Sequence, residues 1–469
     1  MSSNRIADVI IVGSGTAGAT VADELSKAGK KVAVIERGPR ITDVTTEHIQ
    51  AKVGRKTIRT DLIQERLRLL YDDGLLQYTS GNIALGTSSL VGGPTWVIGG
   101  NGIRCGEDRL APFGIDVSQY WDEAEKDLRV EEAPEKLWGP AAMKLKETSN
   151  RLGYEIRPMP KTIDMRRCSG CGYCMMGCPT GAKWNASEYV DAAEQRGATV
   201  IPDTLVTEVI TQNGKAVGVQ GKQVTGETVE YYADAVVLAA SGIRTPVILK
   251  NSGIEEAGSG LYVDTCYVAF GFTEEKRKRR ELTVPYYWPE FHESEGFLGI
   301  PLYYFHPATF VVDYDASQGK HYPSLSIASM LEIGQKMKSY SDKMDRVLAM
   351  MVKIKDEAVG EVLPDGSVQK TVTEKDQQKL DASFQWCRRM LVESGCDPAT
   401  IGRGMLYGAH LGGTAAMGQI VNEDFETLKL KDLFVCDLSV VGGEGMGMPP
   451  ILFIVAFAKH FAKRLAKQL

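Results

Sequence analysis

Four of the nine cysteines lie in one short segment of the sequence: Cys168, Cys171, Cys174 and Cys178. Pro179 follows the last of them, so the segment has the spacing CxxCxxCxxxCP. Thiolates two residues apart can bind three corners of one iron–sulfur cubane, and bacterial ferredoxins use this spacing. The segment therefore predicts a [4Fe–4S] cluster whose ligands are these cysteines.

The pattern leaves the fourth ligand and the metal open. In two-cluster ferredoxins the fourth cysteine of such a run binds the other cluster, and this sequence has a single run. The fourth ligand is then Cys178 in an altered geometry, or one of three remote thiolates: Cys105, Cys266 or Cys436. Zinc is the main rival, because four cysteines also satisfy a tetrahedral ion. Free thiols are the third interpretation. A disulfide is disfavoured, because we expect the protein to be in a reducing compartment.

A glycine-rich turn joins the first predicted strand to the first predicted helix. The apolar run Asp8–Val12 leads into this turn, and a second strand, Lys31–Ile35, ends at Glu36. Glycines allow the backbone to approach a pyrophosphate, whose charge is stabilised at the helix N-terminus. A carboxylate at the end of the second strand can accept hydrogen bonds from a ribose diol. We therefore predict that the N-terminal residues that contact a dinucleotide are Gly13, Gly15, Thr16, Ala17, Gly18 and Glu36.

Further motifs follow along the chain: Gly81–Gly86, Val91–Trp96, Ala235–Pro246, His410–Gly418 and Leu433–Asp437. With the N-terminal unit, they resemble the glucose–methanol–choline (GMC) oxidoreductases, a family of FAD-dependent alcohol oxidases and dehydrogenases. The cysteine segment is most similar to those of the long-chain alcohol oxidase and sugar-acid dehydrogenase branches. The resemblance, and the N-terminal position of the βαβ unit, favour FAD over NAD. The resemblance implies further FAD contacts at Gly92, Gly93, Thr95, Val206, Ala240, Asp437, Met448 and Pro449.

The resemblance also implies a catalytic base. Oxidation of an alcohol by a flavin needs hydride transfer from carbon and removal of the hydroxyl proton, and a histidine suits the second task. The family pattern places this histidine at His410. The family's second catalytic residue, Asn or His, falls on Pro449 or Met448, and neither side chain can act as an acid or a base. We expect this partner to be missing, or to be replaced by Glu444 or by a residue of the substrate domain.

The predicted fold class is α/β (α+β overall), with a Rossmann-like FAD-binding domain and an inserted antiparallel-sheet substrate domain. The resemblance implies a discontinuous FAD-binding domain, residues 1–265 and 403–469, which contains the cysteine-rich segment 166–184. Residues 266–402 are then the substrate-binding domain. The sequence agrees with this division, because 266–402 lacks nucleotide-type glycine turns and is rich in aromatic, strand-like segments.

Composition and charge argue against other classes of function. The net charge is −6, which does not favour a nucleic-acid or anionic-membrane surface. The apolar run 451–458 is shorter than the roughly 20 residues of a membrane-spanning helix, and no secretory signal is recognisable. We therefore expect a cytoplasmic protein without a transmembrane segment.

Together these features predict an FAD-dependent dehydrogenase that oxidises a hydroxyl group of a small organic substrate. Electrons are expected to leave through the [4Fe–4S] cluster to an external acceptor such as ferredoxin or a quinone. Two alternatives stay open. The first is a flavoenzyme acting on a C=C, C–C or ketone group, because the second catalytic residue is missing. The second is an electron-transfer flavoprotein without a small substrate.

Overall fold

A parallel sheet holds the N-terminal strand near its centre. The computed structural model describes residues 5–44, 49–53, 56–60, 77–277, 281–304, 307–320, 322, 327–408 and 410–469. In spatial order, the strands of the sheet are Thr199–Ile201, Val32–Ile35, Val9–Val12, Ala235–Leu238 and Leu433–Val435. All neighbouring pairs are parallel. The inner strands are buried at every position, which explains why the sequence shows continuous apolar runs there.

The first helix, Thr16–Lys27, begins directly after Gly15 and covers one region of this sheet. It also packs against the helices Ser187–Gln195 and Ile451–Gln468, so that residues from both ends of the chain share one hydrophobic core. The strand–helix–strand order is that of a βαβ crossover, as the sequence predicts. The glycine turn therefore lies at the carboxyl end of a central strand.

A second sheet is mostly antiparallel. Its strands, in spatial order, are Phe297–Leu302, Val347–Ile354, Thr265–Phe272, Tyr407–Gly408, Ala84–Leu85 and Gln77–Tyr78, and Gly402–Arg403 also pairs with Thr265–Phe272. One pair, Tyr407–Gly408 with Ala84–Leu85, is parallel. The sheet thus joins strands from both sides of the predicted boundary at residues 265 and 266. The division into two domains stays a prediction.

Smaller sheets and further helices complete the described chain. The other strands are Arg40–Val44, Ile49–Val53, Lys56–Thr60, Val130–Glu132, Arg157–Pro158, Pro160–Thr162, Thr204–Gln212, Lys215–Gln223, Thr228–Tyr232, Ser259–Leu261, Tyr286–Tyr287, Gly360–Val362 and Val368–Gln369. The other helices are Glu107–Leu110, Trp121–Asp127, Pro140–Leu152, Ser241–Asn251, Glu290–Ser294, Pro307–Ser317, Ile327–Ser339, Ser341–Arg346 and Glu374–Glu393. None of the described helices combines the length and apolar character needed to cross a bilayer. The predicted fold class, α/β with α+β overall, is confirmed.

A buried lysine connects the last helix to the rest of this core. The Lys459 ammonium is 2.9 Å from a Glu24 carboxylate oxygen, 2.8 Å from one of Glu123 and 2.8 Å from one of Asp127. Burial lowers the pKa of Lys459, but the three carboxylates outweigh it and hold that pKa above its ordinary value. Lys459 is therefore charged, and its charge is compensated from two other helices.

Replacing Lys459 with Met should lower the free energy of unfolding by about 3 kcal/mol, because three carboxylates then lose their shared cation. Urea unfolding at neutral pH and a fixed cofactor concentration measures this loss. Lys467→Met, an exposed lysine further along the same helix, is the matched control and should leave the unfolding midpoint unchanged. Equal midpoints for the two variants contradict the structural role of Lys459.

Candidate active site

A cavity of about 260 Å³ opens at the carboxyl ends of the parallel strands. This is where ligands bind in open α/β sheets. The predicted site residues that line it are Gly13, Gly15, Thr16, Ala17, Glu36, Gly93, Thr95, Val206, Ala240, Asp437 and His410. Motifs that are far apart in the sequence are thus brought to one cavity, with the predicted base in its wall.

Four predicted residues do not line the cavity, and each has a local contact or conformation of its own. A Cβ atom on Gly18 would overlap the carbonyl oxygen of Gly13, so Gly18 lets the first helix approach the turn. Gly92 has a left-handed backbone, φ 97°, near the start of the second glycine loop, Val91–Trp96; the first is the turn Gly13–Gly18. Met448 packs into a separate hydrophobic cluster. The carbonyl oxygen of Pro449 accepts a hydrogen bond from the Cys105 thiol at 3.6 Å.

Other residues line the cavity without having been predicted from the sequence. They include Ser14, Ser88, Ser89, Arg244, Pro450 and Ile451. Ser14 and Arg244 lie within motifs that were recognised, so their motifs were the available signal. Ser88 and Ser89 lie between the motifs Gly81–Gly86 and Val91–Trp96, in a stretch without any regular pattern.

Glu36 is held by the first glycine turn. One of its carboxylate oxygens accepts hydrogen bonds from the backbone N–H and the hydroxyl of Ser14, at 3.0 and 2.7 Å. The other accepts from the backbone N–H of Gly38 at 3.0 Å. Burial raises the pKa of Glu36, and these three donors oppose that rise. The Ser14 hydroxyl also accepts from the backbone N–H of Gly92 at 3.1 Å, which joins the two glycine loops.

The walls of the cavity fit a dinucleotide. A Cβ atom on Gly15 would meet no described atom nearer than Pro94 Cδ at 4.0 Å, so the space in front of the turn is open. No side chain caps the N-terminus of Thr16–Lys27, which leaves its first backbone N–H groups available to a pyrophosphate. The buried Ser88 hydroxyl has no hydrogen-bond partner among the described residues. A buried polar atom of this kind is satisfied when a polar ligand supplies the partner.

His410 lies between a carboxylate and an amine. Its Nδ1 atom is 2.7 Å from Oδ2 of Asp264 and 3.2 Å from Nζ of Lys353, and its Nε2 atom is 3.5 Å from the same Nζ. Burial, and then the neighbouring Lys353 charge, lower the pKa of His410, while Asp264 opposes them. The imidazole is therefore neutral at neutral pH.

The Asp264 carboxylate is fixed by its own backbone and by a second buried aspartate. Asp264 has a left-handed backbone, φ 50°, and its other oxygen accepts from the backbone N–H of Gly447 at 3.0 Å. One oxygen of Asp356 accepts from the backbone N–H of Val263 at 3.1 Å and lies 2.8 Å from the Lys370 ammonium. The loop that aims Asp264 at His410 is thus tied to a fully buried ion pair.

The residues that the sequence offers for the second catalytic position have other contacts in the structure. Met448 and Pro449 have the contacts described above, and Glu444 is exposed, 3.9 Å from Lys379. Lys353, which belongs to the segment 266–402, lies beside His410 instead. That a residue of this segment takes the second catalytic role stays a prediction. The available signal was a lysine in the otherwise apolar strand Val347–Ile354.

The structure does not support the predicted metal site at Cys168, Cys171, Cys174 and Cys178. All four cysteines are described, and nowhere in the described ranges do three or more His, Cys, Asp or Glu side chains converge as a metal requires. Cys174 and Cys178 instead pack in a hydrophobic cluster with Trp138 and Leu282. Burial raises the pKa of Cys174 to about 11, so its thiol is protonated. The remote candidates are elsewhere: Cys266 donates to the Tyr407 carbonyl at 3.1 Å, and Cys436 is buried beside the parallel sheet.

The cysteine-rich segment supports the second glycine loop. The backbone N–H of Gly177 donates to the Trp96 carbonyl at 3.2 Å. The buried Lys183 amine donates to the carbonyls of Thr95 and Trp96, and the backbone N–H of Lys183 donates to the Cys178 sulfur at 3.3 Å. The thiols therefore belong to a packed turn that backs one wall of the cavity.

Comparison with known proteins assigns the family. The family model of the GMC oxidoreductases matches residues 7–264, which is more than half of the chain. The chain belongs to the GMC oxidoreductase family. Membership of this family supports FAD as the cofactor, and the resemblance seen in the sequence motifs is confirmed.

Relatives of this GMC oxidoreductase include proteins from bacteria and plants. An uncharacterised GMC-type oxidoreductase of Mycobacterium tuberculosis is 30% identical over 62% of this chain and 47% of its own length. Long-chain-alcohol oxidase FAO1 of Arabidopsis thaliana is 23% identical over 98% of this chain and 66% of its own length. The chain thus spans 47% and 66% of these two relatives.

The crystal structure of pyridoxine 4-oxidase from Mesorbium loti has the same fold. It superposes with a TM-score of 0.67 at 14% sequence identity, and the match covers 98% of this chain and 99% of the other. The architecture is therefore that of a solved protein over almost its whole length.

Glu36→Gln should weaken FAD binding about tenfold to a hundredfold, because an amide cannot accept from Ser14 and Gly38 as a carboxylate does. Titration of the deflavinated protein with FAD, followed by flavin fluorescence, measures the dissociation constant. Glu227→Gln, an exposed glutamate on a distant hairpin, is the control and should bind FAD as the wild type does. An unchanged dissociation constant for E36Q removes Glu36 from the binding site.

Proposed function

We propose that this GMC oxidoreductase is an FAD-dependent enzyme that oxidises a hydroxyl group of a small organic substrate. The observation that carries the proposal is the hydrogen bond of His410 to the buried Asp264, in the wall of the cavity lined by both glycine loops. The name of the Arabidopsis relative, a long-chain-alcohol oxidase, favours an alcohol as the substrate.

His410 is the proposed base. A carboxylate accepts but does not donate, so the hydrogen-bond network assigns the proton of the ring to Nδ1 and leaves a lone pair on Nε2. The low pKa of His410 keeps that lone pair free at neutral pH. Nε2 can then take the hydroxyl proton, while Asp264 holds the ring in place and stabilises the imidazolium that forms.

The cofactor would be held by the residues that the first and second glycine loops bring together. We assign the pyrophosphate to the N-terminus of Thr16–Lys27 and the ribose diol to Glu36. Thr95, Ala240 and Asp437 line the same cavity and complete the proposed contacts. When bound, FAD supplies a two-electron acceptor for hydride.

The proposed base can be tested by flavin reduction without oxygen. His410→Ala should lower the limiting rate of flavin reduction by an alcohol about 10²- to 10⁴-fold, because the proton then has no positioned acceptor. Stopped-flow absorbance with a panel of primary, secondary and long-chain alcohols measures this rate. His460→Gln, on the last helix, is the control and should react as the wild type does. An H410A rate within a few-fold of the wild type would falsify the assignment.

The rate should also depend on pH in a direction that the structure fixes. His410 must be neutral to accept a proton, and its pKa lies below the ordinary 6.5. The rate of flavin reduction at low substrate concentration should therefore rise with pH through an apparent pKa below 6.5 and be constant just above it. A profile that rises only above pH 7 contradicts this protonation state.

A further inference from the structure

Lys353 differs from the other buried lysines in what surrounds its amine. The Lys370 ammonium pairs with Asp356, the Lys459 ammonium pairs with three carboxylates, and Lys161 donates to several backbone carbonyls. Lys353 is only 5% exposed, yet within the described ranges no carboxylate oxygen lies within 4.0 Å of its Nζ. The hydrogen-bond partner of this amine is the His410 ring.

The backbone holds Lys353 in place. It lies in the strand Val347–Ile354, opposite Cys266 on one neighbouring strand and Leu298 on the other. A residue flanked by paired strands on both sides has little backbone freedom. The sheet therefore fixes the backbone of Lys353, and burial confines its side chain.

The His410 ring satisfies this amine poorly. Nδ1 is engaged by Asp264, so Nε2, at 3.5 Å, is the lone pair left to Lys353. That distance is at the limit of a hydrogen bond. Nζ is 3.2 Å from Nδ1 as well as 3.5 Å from Nε2, so the amine lies beside the ring and off the axis of the Nε2 lone pair. A substrate hydroxyl that approaches Nε2 from the Lys353 side of this axis comes within hydrogen-bond reach of Nζ, and can then accept from Lys353 while it donates to His410.

We propose that Lys353 is the second catalytic residue of this enzyme, donating a hydrogen bond to the substrate oxygen while His410 removes the hydroxyl proton. This inference rests on the proposed function. It assigns to an ammonium the task for which Met448 and Pro449 have no suitable group.

The proposed step transfers one hydride and one proton from the substrate. The carbinol C–H bond breaks and its hydrogen leaves with the electron pair for the flavin, which gains two electrons. The O–H bond breaks, its proton moves to Nε2 of His410, and the oxygen forms the carbonyl double bond. Lys353 keeps its protons and stabilises the negative charge that develops on the oxygen.

The charged groups that face this pair from the packed elements are few. Asp264 faces both His410 and Lys353, and the thiols of Cys105 and Cys266 face Lys353. Burial raises the pKa of both thiols, to about 12 for Cys105, so these thiols are neutral. Burial lowers the pKa of Lys353 below 10.5, and Asp264 opposes that change. Lys353 is therefore expected to lose its proton on the alkaline side of the pH profile.

The test compares Lys353→Met with Lys353→Arg and Lys355→Met in the holoenzyme. K353M keeps the length and packing of the side chain but has no N–H, so the limiting rate of flavin reduction should fall about 10²- to 10³-fold. K353R keeps a donor and a charge and should recover part of this loss. Lys355 is two residues further on and 3.6 Å from Glu293, so K355M controls for the loss of a lysine in this region.

Two further measurements separate this role from a structural one. In the wild type the rate should fall again at high pH as Lys353 deprotonates, and K353M should lack that alkaline fall. Histidine NMR titration of the protein without substrate should show a higher His410 pKa in K353M than in the wild type, because a neighbouring cation is gone. K355M should leave this pKa unchanged.

The outcomes are distinguishable. If K353M reduces the flavin within a few-fold of the wild type while H410A is slow, the inference is wrong and the proposed function stands. If the His410 pKa is the same in K353M and the wild type, the cation is not beside the ring and the inference is again wrong. If no alcohol reduces the wild-type flavin, the proposed function fails and the inference fails with it.

Discussion

The candidate site depends on one buried carboxylate, that of Asp264. It takes a hydrogen bond from the His410 ring on one oxygen and from the backbone of Gly447 on the other, at zero solvent exposure. A buried charge in a left-handed backbone is expensive, and it persists only where its surroundings supply donors. Here those donors are the backbone N–H of Gly447, which follows the motif Leu433–Asp437, and the ring of His410. The conformation of this loop and the position of His410 therefore depend on each other.

Most residues that the sequence predicts to hold the cofactor line one cavity in the structure. The first turn, Glu36 and the Val91–Trp96 loop are local motifs, in which glycine spacing and strand periodicity report directly on backbone geometry. Their convergence on one cavity follows from the topology of a parallel sheet. The catalytic half was harder, because Asp264 and Lys353 meet His410 only through pairing between strands that are distant in sequence. No local sequence pattern encodes these tertiary contacts, and a single lysine in an apolar strand was the one sequence signal for them.

The cysteine segment shows that spacing alone does not establish a metal site. CxxCxxCxxxCP fits an iron–sulfur cluster, but the same glycines and small turns also let a chain pack closely against a neighbouring loop. In this protein two of the thiols are part of a hydrophobic cluster, and Lys183 fixes the carbonyls of the second glycine loop. Local spacing records which atoms could reach one point, whereas burial and tertiary contacts decide whether they do.

The pairing of Lys459 with Glu24 has a consequence for the order of events during synthesis. The helix Thr16–Lys27 leaves the ribosome early, but the cation and much of the apolar surface that cover it belong to Ile451–Gln468. The emerging chain must keep an incomplete nucleotide-binding half in solution until more than 400 further residues have been added. Such a long-range closure is slow and leaves apolar surface exposed in the meantime. The hydrophobic core around Thr16–Lys27 is therefore completed only after the helix Ile451–Gln468 has been synthesised.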